Sequence, residues 1–175
     1  MKIGVLSDTH IPRRARTIPK AVLEGLQGVD LIIHCGDIAE EWVLEELREL
    51  APVEAVYGNM DPAPLKEKLP KTKIIQAEGF LVGIVHGDGP WVTIDNAFNA
   101  FPFAKIDCIV FGHSHVPIIA EREGITLLNP GSPTDKRGQE NYSYGLLHIG
   151  EAIKAELILF SKASAGSGAD NTNSL

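Results

Sequence analysis

The chain has 175 residues, 44% of them hydrophobic, and a formal charge of −7 from 16 basic and 23 acidic side chains. That length suits one domain able to bury a sizeable core. No run of Lys or Arg exceeds two, which excludes the concentrated positive surface that general nucleic-acid binding or an anionic membrane requires. No stretch nears the ~20 apolar residues of a membrane span, and the apolar run after Met1 is too short for the core of a signal peptide. Cys35 and Cys108 lie in apolar stretches without a spaced framework, the pattern of buried thiols in a reducing compartment. The expectation is a cytoplasmic protein, with a homo-oligomer left open.

In chain order, Lys2–Leu6 reads as a buried strand, and Thr17 and Pro19 open a helix whose stripe is Val22, Leu23 and Leu26 before Gly28 breaks it. Asp30–Cys35 is a second strand. Val43, Leu47 and Leu50 then fall on one face of a helix whose other faces carry Glu40, Glu41, Glu45, Glu46 and Glu49. Val53–Tyr57 is a third strand, and Asn59-Met60-Asp61-Pro62 is turn chemistry. This alternation predicts βαβ units with parallel strands. From there the pattern turns strand-rich: Lys73–Ala77, Phe80–Val85, Cys108–Phe111, Val116–Glu121, Ile125–Leu128, Tyr142–Ile149 and Ile153–Phe160, with one helical segment at Thr93–Phe101. The expected fold is α/β, a four-layer α/β/β/α sandwich of two packed mixed sheets flanked by helices. The domain is expected over 1–162, and Ser, Gly, Asn and Asp dominate 163–175, the composition of a disordered tail.

Residues able to hold a metal fall at strand ends. Asp8 and His10 follow the first strand, Asp37 the second, Asn59 the third, His86 the strand ending at Val85, and His113 with His115 the strand ending at Phe111. Ligand sites of α/β sheets form outside the carboxyl ends of strands, so five segments are expected to deliver these side chains to one rim. Asp8/His10 and His113/His115 are i, i+2 pairs, which project to the same side if the backbone is extended. Gly36, Gly58, Gly87 and Gly112 flank these points, where the chain must turn sharply or pass close to a bound group.

In order, Asp8-Thr9-His10, Gly36-Asp37, Gly58-Asn59-Met60-Asp61, His86-Gly87 and Gly112-His113-Ser114-His115 resemble the five motifs of the calcineurin-like metallophosphoesterases. The resemblance spans roughly residues 3 to 132, and the ordered quintet is far more specific than any one member. With Asn129-Pro130-Gly131-Ser132 and the compact length, the chain looks most like the small bacterial and archaeal phosphodiesterase branch. The resemblance implies that Asp8, His10, Asp37 and His115 hold one divalent cation, and that Asp37, Asn59, His86 and His113 hold a second, with Asp37 bridging. It assigns the catalytic role to Asp37, Asn59 and His86. Mixed N/O ligation suits Mn²⁺ first, with Ni²⁺, Zn²⁺ or Fe as alternatives. Two such ions turn a bridging water into hydroxide near neutral pH and clamp a phosphoryl group for in-line attack. The expected substrate is thus a phosphate ester, a diester before a monoester, approaching a cleft whose cations offset the negative surface.

Simpler readings remain for single residues. Asp8 or Asp37 alone could cap a helix, His34 and His148 match no motif, and Arg13, Arg14, Arg16, Lys136 and Arg137 are ordinary solvated cations until shown otherwise. Asp61, Asn129 and Ser132 are candidates to orient the ligands. Two rival functions are a structural zinc site, which seven ligands exceed, and a non-catalytic scaffold like the retromer subunit related to this family. In that relative the motifs are partly degraded, whereas here all seven positions are intact. Met60 is the departure: many members carry His there to protonate the leaving group, and a thioether cannot.

Overall fold

The computed structural model describes residues 1–161; the expected tail over 163–175 lies outside them. Two five-stranded mixed sheets pack face to face. Their strands are β1 (Lys2–Leu6), β2 (Leu31–His34), β3 (Val53–Ala55), β4 (Thr72–Ala77), β5 (Phe80–Val85), β6 (Cys108–Val110), β7 (Ile118–Arg122), β8 (Ile125–Asn129), β9 (Tyr142–Ile149) and β10 (Ile153–Phe160). The first sheet runs β10-β9-β1-β2-β3 and the second β4-β5-β6-β8-β7. Within them β1, β2 and β3 are mutually parallel, as are β5, β6 and β8. Each sheet thus turns three carboxyl ends the same way, and these are the ends that carry the motifs.

Period-two alternation decides what each face packs on. Ile3, Val5, Leu31 and Ile33 point inward and meet Val82, Ile84, Cys108, Val110 and Leu128 of the second sheet. Leu6 and Ile32 point outward, where Val22 and Leu26 of α1 (Lys20–Gly25), Val43, Leu44 and Leu47 of α2 (Glu41–Arg48) and Leu65 of α3 (Ala63–Lys68) cover them. On the far side Ile109, Phe111 and Leu127 pack against α4 (Thr93–Phe98) through Ala97. The four layers match the expectation, with three helices on one side and one on the other. Cys35 and Cys108 are buried free thiols.

α2 is stabilised at both ends by charge, with Glu41 in the first turn and Arg48 in the last, opposite to the partial charges of the helix termini. α3 escapes the sequence reading because it is six residues long, begins after Pro62 and buries Leu65 alone. No apolar period can develop over so short a span. It still matters to the site, since the Lys66 ammonium donates to the Asn59 carbonyl at 2.8 Å. No helix among the described residues is long and apolar enough to cross a membrane.

Candidate metal centre

All seven expected residues converge. Asp8 Oδ1 lies 3.3 Å from His115 Nε2 and 3.8 Å from His10 Nε2. Asp37 Oδ2 lies 3.7 Å from His10 Nε2 and 3.3 Å from His86 Nε2. Asn59 Oδ1 lies 3.2 Å from His86 Nε2 and 3.1 Å from His113 Nδ1. The ligand atoms of Asp8, His10 and His115, and likewise those of Asp8, Asp37 and His86, lie within 4.8 Å of one another.

One expectation is corrected. The i, i+2 pairs do not sit in extended segments: Asp8, His10, Asp37, His113 and His115 all have positive φ, between 45° and 67°. His115 accordingly turns toward His10, with the rings stacked at 5.2 Å, while His113 turns the other way and meets the edge of His86. Each such residue costs ~1 kcal/mol or more of backbone strain, so the surroundings must hold them.

A dense network does so. The Asp61 carboxylate accepts four backbone N–H groups: Asp37 at 3.0 Å, Ile38 at 2.7 Å, Ala39 at 2.8 Å and Gly58 at 2.8 Å. Met60 N–H donates to Asp37 Oδ1 at 2.8 Å, which leaves Oδ2 to face the imidazoles. Asn129 donates to the Gly112 carbonyl at 2.7 Å, and Ser132 Oγ donates to the Asp8 carbonyl at 2.8 Å. Gly58 is required by contact, because a Cβ there would stand 2.2 Å from Asp37 Oδ1.

The histidine tautomers follow from their partners. His86 Nδ1–H donates to the Cys35 carbonyl at 2.7 Å and His115 Nδ1–H to the Asp135 carbonyl at 2.5 Å, so both turn Nε2 to the centre. Anchoring one ring nitrogen on a carbonyl is how proteins orient metal-binding imidazoles. His34 differs: Gly36 N–H donates to its Nδ1, its Nε2–H donates to Thr9 Oγ1, and Thr9 passes a hydrogen bond to the Ile38 carbonyl. Both its nitrogens are used, so it braces the loop and ligates nothing. Thr134 and Asp135 were not singled out in the sequence. Thr134 Oγ1 donates to the Thr9 carbonyl at 2.5 Å.

The charges are strongly coupled. Burial alone would raise Asp8, but His115 and His86 overcome it and hold the carboxyl at about 2. Burial would lower His86, yet Asp37 and Asp8 raise it to about 9. Burial lowers His34 to about 3. For His10 and His113, burial also wins and keeps both below the ordinary value.

The donor set fits a divalent cation. Asp8 is fully buried, and its Oδ1 has no hydrogen-bond partner although His115 Nε2 is near. His10 and His115 bring their Nε2 atoms to 3.3 Å, an approach of two lone pairs that only a proton or a cation between them makes favourable. A buried carboxylate oxygen left without a partner, as Asp8 Oδ1 is, is costly without a positive charge beside it.

Comparison with known proteins agrees with the geometry. Residues 1–152 match the calcineurin-like phosphoesterase superfamily domain. A probable metallophosphoesterase of Methanothermobacter thermautotrophicus is 41% identical over 160 residues, covering 90% of this chain and 92% of its own. A phosphodiesterase of Methanocaldococcus jannaschii is 30% identical over 144 residues, covering 75% and 83% respectively. Among solved structures, Vps29 of Entamoeba histolytica complexed with Zn²⁺ superimposes with a TM-score of 0.74 at 25% identity, over 91% of this chain and 99% of that one. The chain belongs to the calcineurin-like phosphoesterase superfamily. It is a phosphoesterase of the metal-dependent kind, a hydrolase by its family and by the buried Asp/His cluster at its strand ends.

Proposed function

We propose that this protein is a phosphodiesterase with a dinuclear centre, in which Asp8, His10, Asp37 and His115 hold one ion and Asp37, Asn59, His86 and His113 hold the other. The observation that carries this reading is the position of Asp37 Oδ2, 3.7 Å from His10 Nε2 on one side and 3.3 Å from His86 Nε2 on the other. A carboxylate oxygen with several lone pairs suits a position between two cations. The diester preference is supported by the Methanocaldococcus jannaschii phosphodiesterase, 30% identical to this chain.

Bound divalent ions supply an activated water as nucleophile and Lewis-acid neutralisation of the phosphoryl oxygens. The chain's own residues do the positioning. Met60 N–H fixes the rotamer of Asp37, Asp61 fixes the loop on which Asp37 sits, and the Cys35 and Asp135 carbonyls aim His86 and His115. Asn59 presents its amide oxygen between His86 and His113, where its neutral donor leaves the second position less negative than a carboxylate would. Mn²⁺ is the ion of choice for mixed carboxylate, amide and imidazole ligation, and the cytoplasm is the matching compartment. The test is hydrolysis of bis(p-nitrophenyl) phosphate by metal-stripped protein with Mn²⁺, Ni²⁺, Zn²⁺ or Mg²⁺ restored one at a time. No turnover without metal and the highest with Mn²⁺ are expected; equal turnover in excess chelator would overturn the reading.

A further inference from the structure

Beside the centre lies a pocket of 160 Å³ lined by His10, Arg13, Arg14, Met60, Asp135 and Arg137. It shares the wall formed by His10, so whatever fills it touches the candidate metal site. Three of the chain's six arginines stand here, on a protein whose formal charge is −7. Arg14 Nε pairs with the Asp135 carboxylate at 3.1 Å, and among the described residues Arg13 and Arg137 have no acidic partner. The pocket's own balance is three cations less one anion, 3 − 1 = +2. Its volume holds about five waters, enough to admit a phosphate or carboxylate in their place.

The pocket is also tied rigidly to the centre. The Asp135 carbonyl anchors His115 at 2.5 Å, Asp135 N–H donates to Ser132 Oγ at 2.8 Å, and Ser132 donates to the Asp8 carbonyl. The Arg14–Asp135 pair joins this loop to the segment after His10. Arg137 sits two residues beyond, in a left-handed conformation with φ of 46°, and its charge is felt at His115. Guanidinium groups match the planar, bidentate geometry of carboxylate and phosphate. Two unpaired ones beside a hydrolytic centre have the chemistry of an anion subsite.

We propose that this pocket binds a second anionic group of the substrate through Arg13 and Arg137, with Arg14 and Asp135 as the brace. The preferred substrate is then a phosphodiester one of whose arms carries a phosphate or carboxylate a few bonds from the scissile phosphorus. This rests on the phosphodiesterase reading.

The experiment compares, on the Mn²⁺-loaded protein, three diester substrates with the same p-nitrophenolate leaving group and different retained arms: propyl, 3-carboxypropyl and 3-phosphonopropyl. The parent prefers the anionic arms by roughly tenfold or more in kcat/KM, and the better of the two names the anion. Arg13→Gln and Arg137→Gln each lower that preference by about tenfold, the worth of one charged hydrogen bond. Arg16→Gln removes the same charge from the same segment outside the pocket and keeps the preference. In parallel, calorimetry measures binding of 3-phosphonopropionate relative to propylphosphonate. That ratio follows the same order among the variants and reads the pocket without turnover. If no diester is hydrolysed, the phosphodiesterase reading falls while the binding ratio still decides the subsite. A parent ratio near one, or an Arg16→Gln protein that loses as much preference as the pocket variants, overturns the proposal.

Discussion

The Asp61 carboxylate accepts the backbone N–H of Asp37 at 3.0 Å and that of Gly58, the neighbour of Asn59, at 2.8 Å. One buried side chain therefore sets the height of two candidate ligand loops from different strands. Asp61→Asn replaces an acceptor oxygen by an NH₂ group facing N–H donors, and leaves buried donors unmet at ~1–3 kcal/mol. Metal affinity is expected to fall ~10–100-fold, as for other residues that orient ligands. Metal titration together with thermal melts checks this; unchanged affinity in a folded variant would remove Asp61 from the positioning role.

Asp37→Asn is expected to damage turnover more than a change at any other single ligand, because it weakens both ion positions rather than one. Metal content per chain should drop toward one or below. Two ions retained with turnover near that of the parent would show that Asp37 does not bridge.

Met60 is 51% exposed beside the centre, and its thioether cannot protonate a departing alkoxide. General acid catalysis is worth ~10²–10⁴-fold, so kcat/KM should fall steeply as leaving-group pKa rises. Met60→His should flatten that dependence at equal metal occupancy, with chemistry shown to limit the rate. A parent already insensitive to leaving-group pKa would mean that another residue is the acid.

The metal-free protein should be most stable near pH 6.5. His86 is raised from 6.5 to about 9 on folding, so its contribution is full below 6.5 and lost as pH climbs through 9. His34 is lowered from 6.5 to about 3, so its contribution is full above 6.5 and lost as pH falls toward 3. The two slopes oppose and meet between them. Thermal melts from pH 4 to 9.5 in chelator give the profile, and His34→Gln, which cannot titrate, should flatten its acid side. A stability rising steadily through pH 9 would contradict the assignment of His86.

Much of this was legible in the chain. The bounds of β1, β5, β9 and β10 coincide with the apolar runs read from the sequence, because each run is bounded by turn residues and none competes with a helical period. The convergence of the seven candidate ligands was legible for a similar reason: each lies within four residues of the end of an apolar run. What the sequence concealed was long-range or conformational. The left-handed backbone at His113 and His115 reverses the direction expected of an extended i, i+2 pair, and nothing in Gly-His-Ser-His announces it. The contact of Ser132 with Asp8 spans 124 positions, and Arg13 and Arg137 line one pocket from similarly distant parts of the chain, so no local pattern could separate these arginines from solvated ones. α3 stayed hidden because two prolines and two lysines outweigh its single buried leucine.

The most direct test of the central claim is turnover of bis(p-nitrophenyl) phosphate measured against bound metal, as stripped protein is titrated with Mn²⁺ and its metal content determined at each step. No activity is expected at zero ions, and activity should reach its plateau only as the second ion per chain binds. Full activity in chelator, or a plateau complete at one ion per chain, would contradict it.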